Sequence, residues 1–141
     1  MHAVQVFNTH SRYRPRHAAT IALVRKVLRG EKISSAALNI VFVPDKTMRG
    51  LNGTFLGHWH VTDVLSFPLS EQRQQLEGEV YVNLDQAARQ ARTYGVTAAE
   101  ERSRLIIHGV LHLAGYDDAR PAQRKRMRRR EDHYLNIEQK K

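Results

Sequence analysis

TAAEERSRLIIHGVLHLAGYDD, residues Thr97–Asp118, decides how the rest of the chain is read. Thr97-Ala98-Ala99-Glu100 has the form of a capping box, so a helix starts there. The apolar run through Leu105, Ile106, Ile107, Leu111 and Leu113 continues it, and Gly115 stands where a C′ residue belongs. His108 and His112 are four residues apart, so both imidazoles leave one helix face and can aim at one point. Unpaired imidazoles among such neighbours would be costly. Asp117 and Asp118 follow the stop at once and can return a carboxylate to the same point. Two histidines and one carboxylate leave a coordination position open, as a catalytic zinc requires. Asp118 is the expected third ligand and Asp117 the structural partner. A helix cap before Pro121 is the other role open to either aspartate.

Outward from this stretch the chain alternates. Val4–Phe7 predicts a short strand. Pro15 and Gly30 bracket a helix with Ile21, Val24, Val27 and Leu28 on one stripe. Leu38–Val43 predicts a well-buried strand, ended by Pro44-Asp45. Asp45 is placed to cap a helix carrying Met48, Leu51, Asn52 and Phe55 on one face. Asp63–Pro68 predicts a strand, Ser70–Glu77 a loop and Glu79–Asn83 another strand. Asp85 caps, and Gly95 ends, a helix with Ala87, Ala88, Ala91 and Tyr94. Pro121 opens a last helix reaching towards Ile137. The order is β-α-β-α-β-β-α-α-α. It predicts a single compact α+β domain over residues 1–141, with a mixed four-stranded sheet packed with about five helices.

The 141 residues carry a formal net charge of +9 and no cysteine. The charge favours a polyanionic partner. The missing cysteines exclude disulfides and thiolate metal sites, so a metal must rely on His, Asp, Glu or water. No apolar run is long enough to cross a bilayer, and no secretory signal is evident, so a soluble cytoplasmic protein without a membrane partner is expected. Gly109 follows the first histidine where a zinc protease has its glutamate base, which argues against peptide hydrolysis. Six of the seven residues Arg124, Lys125, Arg126, Met127, Arg128, Arg129 and Arg130 are basic. Beside a candidate phosphodiester site, such a block suits an RNA backbone. Met127, Glu131, Tyr134 and Leu135 mark its inner stripe. Glu131 can hold a ligand imidazole or pair with an arginine.

The stretch His108–Asp118, H-G-V-L-H-L-A-G-Y-D-D, resembles the H-G-x-L-H-L-x-G-Y-D-H hallmark of the YbeY family of bacterial metal-dependent endoribonucleases. Leu51-Asn52 and Thr62–Pro68 resemble the family's L-N…T-D-V-L-S-F-P block, and Gly78–Val82 its G-D-I-x-I segment. Met127 and Glu131 match residues of its last helix. The resemblance covers roughly residues 38–135, in order. It implies a zinc-dependent, single-strand-specific endoribonuclease acting on ribosomal RNA at the small-subunit 3′ end and in ribosome quality control. The ions implied are one Zn2+ per chain, or another divalent metal. The partners implied are the small ribosomal subunit and its factors, with no DNA. Catalytic and metal roles would fall to His108, His112 and Asp118. Asp63, Ser66 and His58 would line the cleft, with strand-end hydrogen bonding the alternative for the first two. Two departures stand out. Asp118 replaces the family's usual third histidine, and His133 is the next candidate ligand. Leu56 stands where many members carry an arginine thought to meet RNA. His58, Trp59 or His60 either substitutes for it or is incidental to a loop.

Overall fold

A computed structural model describes residues 1–57, 61–70, 72 and 74–137. His58, Trp59 and His60 therefore lie outside the described residues. The chain runs β1 (His2–Asn8), α1 (His17–Gly30), β2 (Ser35–Val43), α2 (Asp45–Leu56), β3 (Val64–Pro68), β4 (Gln75–Asn83), α3 (Leu84–Tyr94), α4 (Ala98–Leu113) and α5 (Pro121–Leu135). The sheet order is β1-β2-β4-β3. β1, β2 and β4 run parallel, while β3 closes the edge antiparallel to β4, with Ser66 opposite Val80. Among the described residues, one mixed four-stranded sheet and five helices pack together in an α+β arrangement, as the order of segments predicts.

Burial along β2 and β4 alternates. Leu38, Ile40, Phe42, Val80 and Val82 are buried towards the helices, while Asn39, Glu79 and Tyr81 face outward and only half-buried. The Leu38–Val43 run thus buries one face, not both. The other face carries a polar ladder in which Tyr81 Oη donates to Glu79 at 3.2 Å. β4 starts at Gln75, four residues before the expected strand, because its polar first half pairs with β2 from Ser35 onward.

α4 is the organising helix and contacts α1, α3, α5, β3 and β4. Leu105, Ile106, Ile107, Val110 and Leu111 are at most 5% exposed, and each such side chain contributes roughly 1.5–3 kcal/mol by leaving water. Gly109 lets β3 and β4 approach. A Cβ there would collide with Val80 and crowd Ser66 Oγ at 3.2 Å.

Several caps differ from the sequence reading. Pro15 precedes α1, whose N-cap is Arg16. Gly30 is the last residue of α1, and the left-handed turn falls to Lys32 at φ 59°. Gly30 is small because the Tyr134 ring of α5 lies against it. Asn83, not Asp85, caps α3 by accepting from the amides of Asp85 and Gln86. Asp85 reaches across to α2 and accepts from the Asp45 amide at 2.9 Å. Asp45 is the first residue of its helix and pairs with Arg89 at 2.7 Å. Such reassignments reflect tertiary packing, which local propensity does not contain.

Candidate metal centre and nucleic-acid interface

α4 presents His108 and His112 from consecutive turns, with ring centroids 4.6 Å apart. Their Nε2 atoms are separated by 3.0 Å. Gly115, at φ 106°, reverses the chain, and Asp118 Oδ2 returns to within 3.2 Å of His108 Nε2 and 3.3 Å of His112 Nε2. These three ligand atoms are the group among the described residues that could hold a metal ion. Two imidazole nitrogens and a carboxylate oxygen suit zinc and other divalent ions. Asp117 is exposed, and neither aspartate is the N-cap of α5. That position is Arg120, whose amide donates to the Gln123 side chain at 2.9 Å. His133 is exposed and outside the triad.

A buried relay orients the first histidine. His108 Nδ1 lies 2.7 Å from Glu131 Oε2. Arg104 donates to Glu131 Oε1 at 2.9 Å and to Asp132 at 2.7 Å. A carboxylate facing Nδ1 fixes the proton there and leaves the Nε2 lone pair for a ligand. Burial pulls the His108 pKa down, but Glu131, helped by Asp118 and Asp63, outweighs it and holds the imidazole above its ordinary value. Both sequence-derived roles of Glu131 therefore coexist, as imidazole acceptor and as arginine partner.

The loop that carries Asp118 is tethered from two sides. Tyr116 Oη donates to Glu31 at 2.7 Å. Arg124 donates to the Ala119 carbonyl at 2.9 Å. The Arg126 guanidinium lies 4.8 Å from the Tyr116 ring centroid. Glu31 also accepts from Arg130 at 2.5 Å and from the Tyr134 hydroxyl. Burial alone would raise the Glu31 pKa, yet donation from Tyr134, Arg130 and Tyr116 holds it below the ordinary glutamate value.

A protein-family model described as Endoribonuclease YbeY matches residues 5–138. The chain belongs to this family. It is 42% identical over 134 residues to an endoribonuclease YbeY of Chlorobium phaeovibrioides, covering 95% of this chain and 89% of that protein. It is 41% identical over 122 residues to the Salinibacter ruber protein of the same name, covering 81% of this chain and 78% of that one. A solution structure of a Thermotoga maritima protein superposes with a TM-score of 0.66 at 27% identity, covering 94% and 87% of the two chains. Family membership places the chain among the nucleases, hydrolases of phosphodiester bonds.

The remaining predicted site residues take distinct places. Asp63 lines both hollows that flank the triad. Ser66 lines one of them, with its hydroxyl donating to the Gly109 carbonyl at 2.9 Å, a tie between β3 and α4. Arg124, Lys125, Arg126, Arg128 and Arg129 are exposed along α5, while Arg130 turns inward to Glu31. Leu56 is 49% exposed at the end of α2. Sequence reasoning missed Arg104 and Glu101, which stand four and seven residues before His108. That helical spacing was the available signal. None of the described helices is long and apolar enough to cross a membrane.

Proposed function

We propose that this chain is a zinc-dependent, single-strand-specific endoribonuclease acting in the maturation of the small-subunit ribosomal RNA 3′ end and in ribosome quality control. The observation that carries the reading is the convergence of His108, His112 and Asp118 within 3.3 Å of one another in a chain of the YbeY family. These three side chains would hold the ion. A divalent cation there supplies Lewis acidity toward a phosphodiester and acidifies nearby water. Glu131 keeps the His108 proton on Nδ1. Arg124, Lys125, Arg126, Arg128 and Arg129 bind the RNA backbone through charge, without reading sequence. Ribosomal RNA, presented by the small subunit or its factors in the cytoplasm, is the substrate this reading favours.

Metal analysis and RNA cleavage test it together. Purified protein should carry about one zinc per chain, and His112→Ala and Asp118→Ala should lose both metal and cleavage. Cleavage that survives both chelation and His112→Ala overturns the nuclease reading. Full metal retention in Asp118→Ala overturns the ligand set. Asp118 and Leu56, which stand where the resembled family usually has histidine and arginine, favour one second reading, a non-catalytic RNA- or ribosome-binding factor with a structural metal. Tight RNA binding by metal-loaded protein without cleavage would select it.

A further inference from the structure

Two hollows flank the triad and share Asp63, His108 and Asp118. The one between α3, α4 and α5, of about 230 Å³, sets Arg124 and Arg128 beside an apolar and acidic lining that a plain phosphate groove would not have. Leu105 and Met127 give it apolar walls, and Tyr94 stands beside it with 61% of its surface exposed. Its polar floor is Glu101, which is 3% exposed. One Glu101 carboxylate oxygen accepts from Gln90 Nε2 at 2.7 Å. Arg104, one turn along α4, is engaged by Glu131 and Asp132. Glu101 therefore keeps acceptor capacity in a setting where a buried carboxylate is costly. Two helical turns separate Glu101 from His108, about 10 Å along the axis. A single nucleotide spans that distance from its phosphate to the edge of its base.

We propose that this hollow is a nucleobase subsite beside the cleaved phosphate. Tyr94 stacks on the base, Glu101 accepts from its ring and amino N–H groups, and Arg128 at the rim meets the adjoining phosphate. Stacking on an aromatic ring and hydrogen bonding to an exposed base edge are the usual means of reading single-stranded RNA. A carboxylate suits guanine, which offers adjacent N1–H and N2–H donors. Uracil sets a carbonyl on each side of its one N–H and turns a negative edge to Glu101. The site therefore selects guanine over uracil. The proposal rests on the endoribonuclease reading and gives it a base preference.

The test titrates the full-length, zinc-loaded protein with guanosine and uridine monophosphates. In parallel it measures cleavage of two oligoribonucleotides that differ by one guanine-to-uracil exchange. Guanosine monophosphate should bind about tenfold more tightly, Glu101→Gln should erase the difference, and Tyr94→Ala should weaken both ligands about tenfold, the loss of one stack. Tyr94 is exposed, so that variant stays informative even if Glu101→Gln folds poorly. Equal affinity for the two nucleotides, or an unchanged preference in Glu101→Gln, overturns the subsite. Base-selective binding without any RNA cleavage supports the subsite and overturns the nuclease reading. Cleavage indifferent to the exchange does the reverse.

Discussion

Glu131→Gln isolates the relay behind the proposed metal centre. The carboxylate has two tasks that the amide cannot perform together. Its Oε2 faces His108 Nδ1 at 2.7 Å and its Oε1 accepts from Arg104 at 2.9 Å. If the glutamine oxygen stays on Arg104, its NH2 faces Nδ1. The imidazole must then accept there and carry its proton on Nε2, where it cannot ligate. If the amide flips, the NH2 opposes the Arg104 guanidinium, donor against donor. Either way, zinc affinity should fall by about 10–100-fold, the usual effect of losing such an orienting partner, which is about 1.4–2.8 kcal/mol. Loss of a charge-assisted bond to Arg104 should also lower folding stability by about 1.5–3 kcal/mol. Asp132 still holds Arg104, so the fold should survive. Zinc affinity is read by competition against a chromophoric chelator, and stability by urea unfolding of the apo protein. Unchanged zinc affinity in Glu131→Gln would refute the reasoning, because it would mean that the His108 tautomer is not set by this carboxylate.

Glu31→Gln should cost roughly 1–3 kcal/mol at pH 7, measured by urea unfolding, because it takes the charge partner from Arg130, whose side chain is 32% exposed, while the Tyr116 and Tyr134 hydroxyls lose a charged acceptor. The folded pKa of Glu31 lies below its unfolded value of 4.5. Its contribution is therefore complete above that value and fades as pH falls through the folded pKa, so wild type and variant should converge in acid. Gly109→Ala should destabilise by about 1–3 kcal/mol through overpacking against Val80, seen as a melting temperature lower by several degrees. Neutralising Lys125 and Arg129 together should reduce the salt dependence of single-stranded RNA binding by about one to two counterions, with little change in zinc content.

Periodicity and stop signals made the elements legible. The apolar stripe of α4, the turn at Gly115 and the proline opening α5 are local, and each stands where the sequence predicts it. The triad was legible for the same reason, since its three side chains lie within eleven residues and one helix turn fixes two of them. What stayed hidden depends on distant partners. Asp85 has the chemistry to cap its own helix, yet α2 offers it an unsatisfied amide and Asn83 takes the local role. Arg130 belongs by composition to the basic block, but Glu31, ninety-nine residues away, draws it inward. Glu101 stands in the first turn of α4, where a solvated acid is the ordinary case, and the packing of α3 and α5 buries it to 3% exposure.

Charge resolves an apparent conflict in this site. The chain carries +9 overall, yet Asp63, Glu101, Asp118 and Glu131 line the hollow beside His108, where Arg104 is already engaged by Glu131 and Asp132 and Arg124 and Arg128 are the other cations. An RNA phosphate brought to that centre alone would meet like charge at short range, where surrounding protein screens poorly. Of the exposed basic residues of α5, Arg124 and Arg128 line this hollow, and the others attract the strand through the wider field of the helix. A divalent ion on His108, His112 and Asp118 would reverse the local sign, so metal occupancy and productive RNA placement should be coupled. Asp118 sharpens that coupling. A third histidine would leave the empty centre one negative charge less hostile to phosphate, whereas the aspartate would make the cation a condition for approach. On the proposed reading, the residue that departs from the resembled motif would make the centre more dependent on its ion.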